Sequence, residues 1–299
     1  MRIAENWQDY KLLDATDGER LEMFGDIILI RPDPQIIWKS AKRSPLWSKA
    51  HARYIRSNQG GGHWEVLAKL PQSWAIKYND LTFMVKLMGF KHTGVFPEQA
   101  ANWDLFGKLI KTQLQNSPNS GEQPTANPPK VLNLFGYTGC ATLACLQAGA
   151  SVCHVDASKG MVAWGKENAE LSHLAQKPVR WIVDDCMKFV QREIRRGNKY
   201  DGVIMDPPSY GRGPGGEVWK LEDSVYSFVQ LCAQVLSNNP LFFAINSYST
   251  GLSGGVMQYI LEDILTPVFG GTVSSEEIGL SVQSTKSILP CGSTALWQR

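Results

Sequence analysis

Residues 130–156, KVLNLFGYTGCATLACLQAGASVCHVD, read as strand, tight turn, helix and a second strand ending in an acid, a series that few folds accommodate. Val131, Leu132, Leu134 and Phe135 make the short apolar run that a parallel strand buried on both faces requires. Gly136, Thr138 and Gly139 then let the backbone approach a ligand closely and aim amide N–H groups at it. Small and apolar residues over 140–148 suit a helix packed on a sheet, Gly149 stops it, and 151–155 reads as the next strand. Asp156 follows the turn by roughly the twenty residues that separate a glycine-rich turn from a ribose-binding acid in nucleotide-binding βαβ units.

The same alternation continues downstream. Ser158 can cap a helix to about 171, residues 179–183 form a strand, and 186–196 form a helix ended by Gly197. A fourth strand over 200–206 ends in Asp206-Pro207-Pro208-Ser209-Tyr210, and a fifth spans 241–245. Strand character returns at 271–280 and 288–297, with little helix between. Repeated β-α units with right-handed crossovers predict an α/β, Rossmann-like, doubly wound and mostly parallel sheet with an antiparallel C-terminal edge.

Residues 1–90 lack that alternation and predict a small β-rich domain, with strands at 10–13, 20–24 and 26–31. Residues 91–129 read as a helical connector and linker, entered at Pro97 and ending in the polar, proline- and glycine-rich stretch 117–129; residues 130–299 form the cofactor-binding domain. Between 35 and 63 lie Lys39, Lys42, Arg43, Lys49, Arg53 and Arg56 with no acid, interspersed with Trp38, Trp47 and Tyr54. Cations for phosphates beside aromatic faces for bases suit single-stranded nucleic acid; the bland alternative is a solvated basic face whose tryptophans pack on the core.

The net charge of +2 is too small to diagnose a nucleic-acid partner by itself. The six cysteines show no Cys-x-x-Cys spacing, so reduced structural thiols are expected, with neither a metal site nor a disulfide framework. No apolar run reaches membrane-span length and MRIAENWQDY lacks a secretory pattern, so a cytoplasmic protein is expected.

NLFGYTG, HVDAS, DDCMKF and DPPSYGRG, in that order, resemble the motifs of class I S-adenosylmethionine-dependent methyltransferases, nearest the bacterial group that includes the large-subunit (23S) ribosomal RNA base methyltransferases. The resemblance covers roughly 91–297. It implies S-adenosyl-L-methionine as cofactor, with Asn133, Phe135, Gly136, Tyr137, Thr138 and Gly139 cradling its methionine part, Asp156 by the ribose, Asp185 by the adenine and Ser158 as a further cofactor contact. Gln99, within HTGVFPEQAANW, matches a side chain edging the pocket, and Asp206 serves both cofactor and transfer. Phe135 stands where a dinucleotide turn has its first glycine, which weighs against a nicotinamide-dependent oxidoreductase.

Transfer from a sulfonium is governed by alignment. For an amine acceptor, Asp206 and the carbonyl beside Pro207, with Pro208 fixing the turn, can hold the amine hydrogens, and Tyr210 can stack on a displaced base. Family members acting at cytosine C5 carry a nucleophilic cysteine in a Ser-Cys-Ser turn, where this chain has Ser247-Tyr248-Ser249. The expected activity is therefore methylation of an RNA base, ribosomal RNA first, at nitrogen rather than C5, with Arg53, Arg56 and Arg212 as candidate RNA contacts. The alternatives are the oxidoreductase and a non-catalytic RNA-binding module with a vestigial cofactor site. Bland readings accompany the acids: Asp156 and either Asp184 or Asp185 as helix caps, and Asp206-Pro207-Pro208 as a strand terminator. His154 reads as a satisfied core residue, and Cys291 as a buried thiol.

Overall fold

The computed structural model describes residues 1–57, 61–116, 127–212, 218–249 and 251–299. It divides into two compact units, Met1–Ala101 with Ile278–Cys291, and Asn102–Glu277 with Gly292–Arg299. Contact thus places the first boundary at 101/102 and assigns a C-terminal segment to the first unit, whereas pattern alone suggested boundaries at 90 and 129. Most of the expected linker, 117–126, lies outside the described residues.

In the first unit, β1 (Arg2–Ile3) pairs in parallel with residues 278–279. β2 (Tyr10–Thr16), β3 (Glu19–Phe24) and β4 (Ile27–Pro32) form an antiparallel meander, because Asp17 and Gly18 both take positive φ at the first turn. β5 (Ala52–Arg56) joins β4 in parallel and β6 (Gly62–Val66) pairs antiparallel with β5. β7 (Trp74–Tyr78) and β8 (Leu81–Val85) make a separate hairpin. One face of the meander buries charge: Glu22, fully buried, receives Arg31 Nε at 2.5 Å, Arg31 Nη2 at 2.7 Å and the Tyr10 hydroxyl at 2.8 Å.

The second unit begins within a long helix, α1 (Ala100–Asn116), which follows the short 3-10 turn Pro97–Gln99. Then come β9 (Lys130–Leu134), α2 (Cys140–Gln147), β10 (Ser151–Asp156), α3 (Lys159–Leu171), β11 (Val179–Val183), α4 (Cys186–Arg196) and β12 (Gly202–Met205). A short ribbon, β13 (Tyr210–Arg212) and β14 (Val218–Lys220), leads to α5 (Leu221–Ala233), β15 (Phe242–Ser247), α6 (Gly254–Phe269), β16 (Thr272–Ser281) and β17 (Ile288–Gln298). The order across the sheet is β16-β17-β15-β12-β9-β10-β11; β15, β12, β9, β10 and β11 are mutually parallel and β17 runs antiparallel to β15. This is the Rossmann-like class expected. Val203, Phe228, Phe243, Leu261 and Trp297 are among the fully buried apolar side chains joining sheet and helices, as both-faces burial of a parallel sheet demands.

From β9 the chain winds outward through β10 and β11, then returns to the other side of β9 as β12. The strand order reverses there, so the carboxyl ends of β9 and β12 border the crevice in which such sheets bind ligands. No helix among the described residues is long and apolar enough to cross a membrane.

Candidate active site

The turn after β9 is held in a conformation that few side chains adopt. Phe135 (φ 56°), Tyr137 (φ 50°) and Gly139 (φ 84°) all lie in the left-handed region, and two of them are not glycine. Hydrogen bonds fix it: Gly136 N–H donates to Val155 O at 3.0 Å, Gly139 N–H to Gly136 O at 3.0 Å, and Phe135 N–H to Cys186 Sγ at 3.3 Å. α2 starts at once with no side-chain cap, so its first amides are directed at whatever the turn holds.

Beneath the turn, Asn133 Nδ2 donates to Thr142 Oγ1 at 2.9 Å, and Thr142 Oγ1 lies 3.0 Å from His154 Nδ1. Asn133 is buried and its amide ties strand to helix. His154 is fully buried, and burial pushes its pKa down to about 3, so it is a neutral packing residue. Thr138 is buried too, its carbonyl accepting from Asn168 Nδ2 at 2.9 Å. A Cβ on Gly136 would sit 2.4 Å from His154 Cε1, which explains the glycine. Gly136→Ala is expected to cost about 1–3 kcal/mol by overpacking and to weaken cofactor binding. Adding His154→Ala should recover part of both losses in denaturation and calorimetry; no loss in the single variant would refute the steric account.

The Asp156 carboxylate accepts from Tyr137 N–H at 2.9 Å and Ser158 N–H at 2.8 Å. Burial raises its pKa, and those two amides offset part of the rise. It therefore supports the turn directly while retaining acceptor capacity, since a carboxylate can take about four hydrogen bonds. Ser158 caps α3 through Met161 N–H at 3.4 Å. Asp185 caps α4, accepting from Lys188 N–H at 2.8 Å, and Asp184 pairs with Arg192.

Asp206 follows β12 directly, and the register that pairs Met205 with Ile245 brings it beside Asn246. Asn246 Nδ2 donates to Asp206 Oδ1 at 3.0 Å, Thr294 Oγ1 donates to Asn246 Oδ1 at 2.8 Å, and Asn102 Nδ2 donates to Thr294 Oγ1 at 2.9 Å. Asn102, Thr294 and Asn246 are all buried. Because Asn102 supplies a hydrogen, the single Thr294 proton goes to Asn246 Oδ1, which fixes the Asn246 amide with its N–H toward Asp206. Sequence reading missed this chain; the three residues are far apart in sequence, and only the antiparallel register of β15 on β17 unites Asn246 with Thr294.

Pro207 is buried; Pro208 is exposed and its carbonyl accepts from Trp219 Nε1 at 2.7 Å. The Trp219 ring packs 5.4 Å from Phe135 and 5.7 Å from Phe228, so it links the Pro-Pro turn to the β9 turn. Its only sequence signal was the aromatic residue after a glycine-rich loop. Tyr210 is half exposed and lines an open groove of about 520 Å³ with Val218, Lys220, Asp223 and Ser224. The side chain of Arg212 lies outside the described residues. In the first unit, Gln99 is buried at the end of the 3-10 turn.

The basic segment of the first unit is pinned by one carboxylate. Asp14 accepts from the N–H groups of Arg43 (2.8 Å) and Ser44 (3.1 Å), Trp47 Nε1 (2.8 Å) and the Ser284 hydroxyl (2.6 Å). Trp38 Nε1 donates to Ala15 O at 2.8 Å and Lys42 lies 4.2 Å over the Trp47 ring. Arg53 grips Glu19 through Nε at 2.8 Å and Nη2 at 2.7 Å, so its charge is compensated, whereas Arg56 is exposed.

A strained turn, an uncapped helix start and acids at successive strand ends define a nucleotide-cofactor α/β enzyme. A sequence model of the family described as S-adenosylmethionine-dependent methyltransferase matches residues 45–246. The fold is similar to the crystal structure of the SAM Dependent Methyltransferase from Agrobacterium tumefaciens, with TM-score 0.89 and 34% identity over 99% of this chain and 92% of that one. SMU.776, solved in complex with SAH, shares the fold at TM-score 0.68 and 19% identity, covering 98% of this chain and 76% of that one. Ribosomal RNA large subunit methyltransferase K/L of Shewanella sp. (strain MR-4) is 30% identical over 144 residues, 48% of this chain. The chain spans only 17% of the length of that curated relative. The chain belongs to the S-adenosylmethionine-dependent methyltransferase family, and S-adenosylmethionine is its methyl donor.

The residues present fit that donor. The left-handed turn permits close backbone approach, the open amides of α2 suit a carboxylate, and Asp156 retains acceptor sites for a ribose diol.

Proposed function

We propose that the enzyme methylates a base of RNA, ribosomal RNA first among candidates, at nitrogen rather than at cytosine C5, in the cytoplasm. The curated relatives' names point to ribosomal RNA. The observation that carries the nitrogen assignment is the Asp206 carboxylate, oriented by Asn246 at the end of β12 and followed by Pro207 and Pro208. A carboxylate held this way accepts hydrogens from an exocyclic or ring amine and points its lone pair at the methyl group, which is what alignment-limited transfer requires.

C5 chemistry needs an accessible thiolate. All six cysteines are buried; burial pushes Cys140 and Cys145 up to about 12 and Cys153 to about 11, and raises Cys186, Cys232 and Cys291 as well. Tyr248 follows β15 where a nucleophilic cysteine would be needed.

In this reading the bound donor supplies an electrophilic methyl on sulfur. Phe135 to Gly139 hold its methionine part, with Asn133 bracing the turn through Thr142. Asp156 and Ser158 border the ribose, Asp185 the adenine, and Gln99 a further edge. Asp206 and Pro207 orient the acceptor amine, Pro208 and Trp219 fix their turn, and Tyr210 offers a face to the base. The first unit serves the RNA substrate, through Arg56 ahead of Arg53.

The test is incubation with labelled S-adenosylmethionine and fractionated cell RNA, DNA and protein, followed by nucleoside digestion. Label is expected in RNA as an N-methylated base. Recovery as 5-methylcytosine, or only in DNA or protein, would overturn the proposal.

A further inference from the structure

The cofactor chemistry leaves one well-built face of the first unit unused. Tyr54 pairs directly with Trp64 across β5 and β6, their rings 5.4 Å apart, and Arg56, two residues on from Tyr54, emerges on the same side. On that side the Trp64 indole N–H donates to the carbonyls of Met88 (2.9 Å) and Phe90 (3.1 Å) and so clamps the turn after β8. Arg31 Nη1 holds the Lys91 carbonyl at 3.3 Å, and Lys91 Nζ reaches the Pro32 carbonyl at 3.3 Å. A backbone tied at these points presents Phe90 62% exposed, a costly position for an aromatic ring. Lys91 follows it in the chain, Arg56 lies near enough to act on the Lys91 charge, and neither cation is in an ion pair with any described residue.

We propose that Arg56, Phe90 and Lys91 form a docking face for single-stranded RNA, with Phe90 stacking on an unpaired base and the two cations taking the adjoining phosphates. The proposal rests on RNA being the acceptor and deepens that reading. A solvent-facing ring on a tied backbone, with two cations nearby, complements a strand whose bases are splayed out, because stacking tolerates any base and phosphates supply the charge. The surroundings favour an anion: burial, with the guanidinium groups of Arg20, Arg31 and Arg56, pushes the Lys91 ammonium down to about 8 against the opposing pull of Asp33. An entering phosphate would relieve that repulsion.

The test uses the full chain and equilibrium binding of a single-stranded RNA oligonucleotide, and of its duplex form, across a salt series. Arg56→Gln and Lys91→Gln are each expected to flatten the slope of log affinity against log salt by about 0.7, the value for one lost phosphate contact on a single strand. Phe90→Ala is expected to weaken binding about tenfold with the slope unchanged, the mark of lost stacking. Binding of S-adenosylmethionine, measured in parallel, should stay at the parent value in all three. Variants that bind cofactor normally and keep the parental RNA affinity and slope would overturn this face while leaving the acceptor class intact. A parent chain that binds no RNA would overturn both, and equal loss of duplex binding would overturn the single-strand assignment. Tighter binding of a polyglutamate peptide than of RNA, lost in the same variants, would assign the face to an acidic protein instead.

Discussion

Alanine in place of Asp206 is expected to lower methyl transfer ~100-fold or more while S-adenosylmethionine affinity changes by no more than several-fold. The carboxylate's position is set from behind by the Asn246, Thr294 and Asn102 chain, with contacts of 3.0, 2.8 and 2.9 Å. Under the proposed function, deleting it removes the group that would align the acceptor and leaves in place the turn that would hold the donor. Asp206→Asn keeps the shape but offers hydrogens where the acceptor's own hydrogens arrive, so its turnover should also collapse. Thr294→Val should give a smaller loss in kcat, because Asn246 is then free to flip its amide. Turnover and calorimetric cofactor binding, measured on the same preparations, decide the matter. If activity returns at saturating cofactor, Asp206 acts on the donor and its transfer role is wrong.

Glu22→Ala is expected to destabilise the first unit by about 3–5 kcal/mol, the range for breaking a buried ion pair and stranding its partner. Here a single carboxylate faces two buried guanidinium groups, Arg31 at 2.5 Å and Arg20 at 3.5 Å. Burial alone would push its pKa up, but Arg20, Arg31 and the Tyr10 hydroxyl outweigh it and hold the carboxyl at about 2. A folded pKa below the unfolded value means that stability is fully present above about 4.5 and is lost as pH falls toward 2. Acid titration of urea midpoints should therefore show a loss across that window in the parent chain and a flatter profile in Glu22→Ala. A shift below about 1 kcal/mol in the variant would show that the guanidinium groups find other partners.

Much of the second unit could be read from sequence because its signals are local. The apolar run at 131–134, Gly139, and acids spaced one β-α unit apart place the turn, Asp156 and Asp206 at strand ends. Partners of those residues were not legible. Asp206 depends on Thr294, and Trp219 docks on Phe135, through pairings that no short window contains. In the first unit, Arg20 and Glu22 alternate with Leu21 and Met23, a pattern that reads as a solvated face, yet the charges point inward because Arg31 arrives from the next strand to neutralise Glu22. The basic run at 35–63 looked uncompensated for the same reason: Glu19, which grips Arg53, lies outside it.

The excursion of residues 278–291 into the first unit has a consequence for biosynthesis. β1 has residues 278–279 as its partner, and Asp14, which pins the basic segment, receives the Ser284 hydroxyl. A nascent chain that has emerged only through residue 101 lacks those groups, so the part made first cannot reach its final packing until the last part of the second unit is being synthesised. The N-terminal sheet would wait, with β1 unpaired and Asp14 short of a donor, through the making of the whole cofactor-binding sheet. A chain halted before residue 278 should therefore carry an unfinished first unit, vulnerable to protease, and the same separation in sequence makes its closure a slow step.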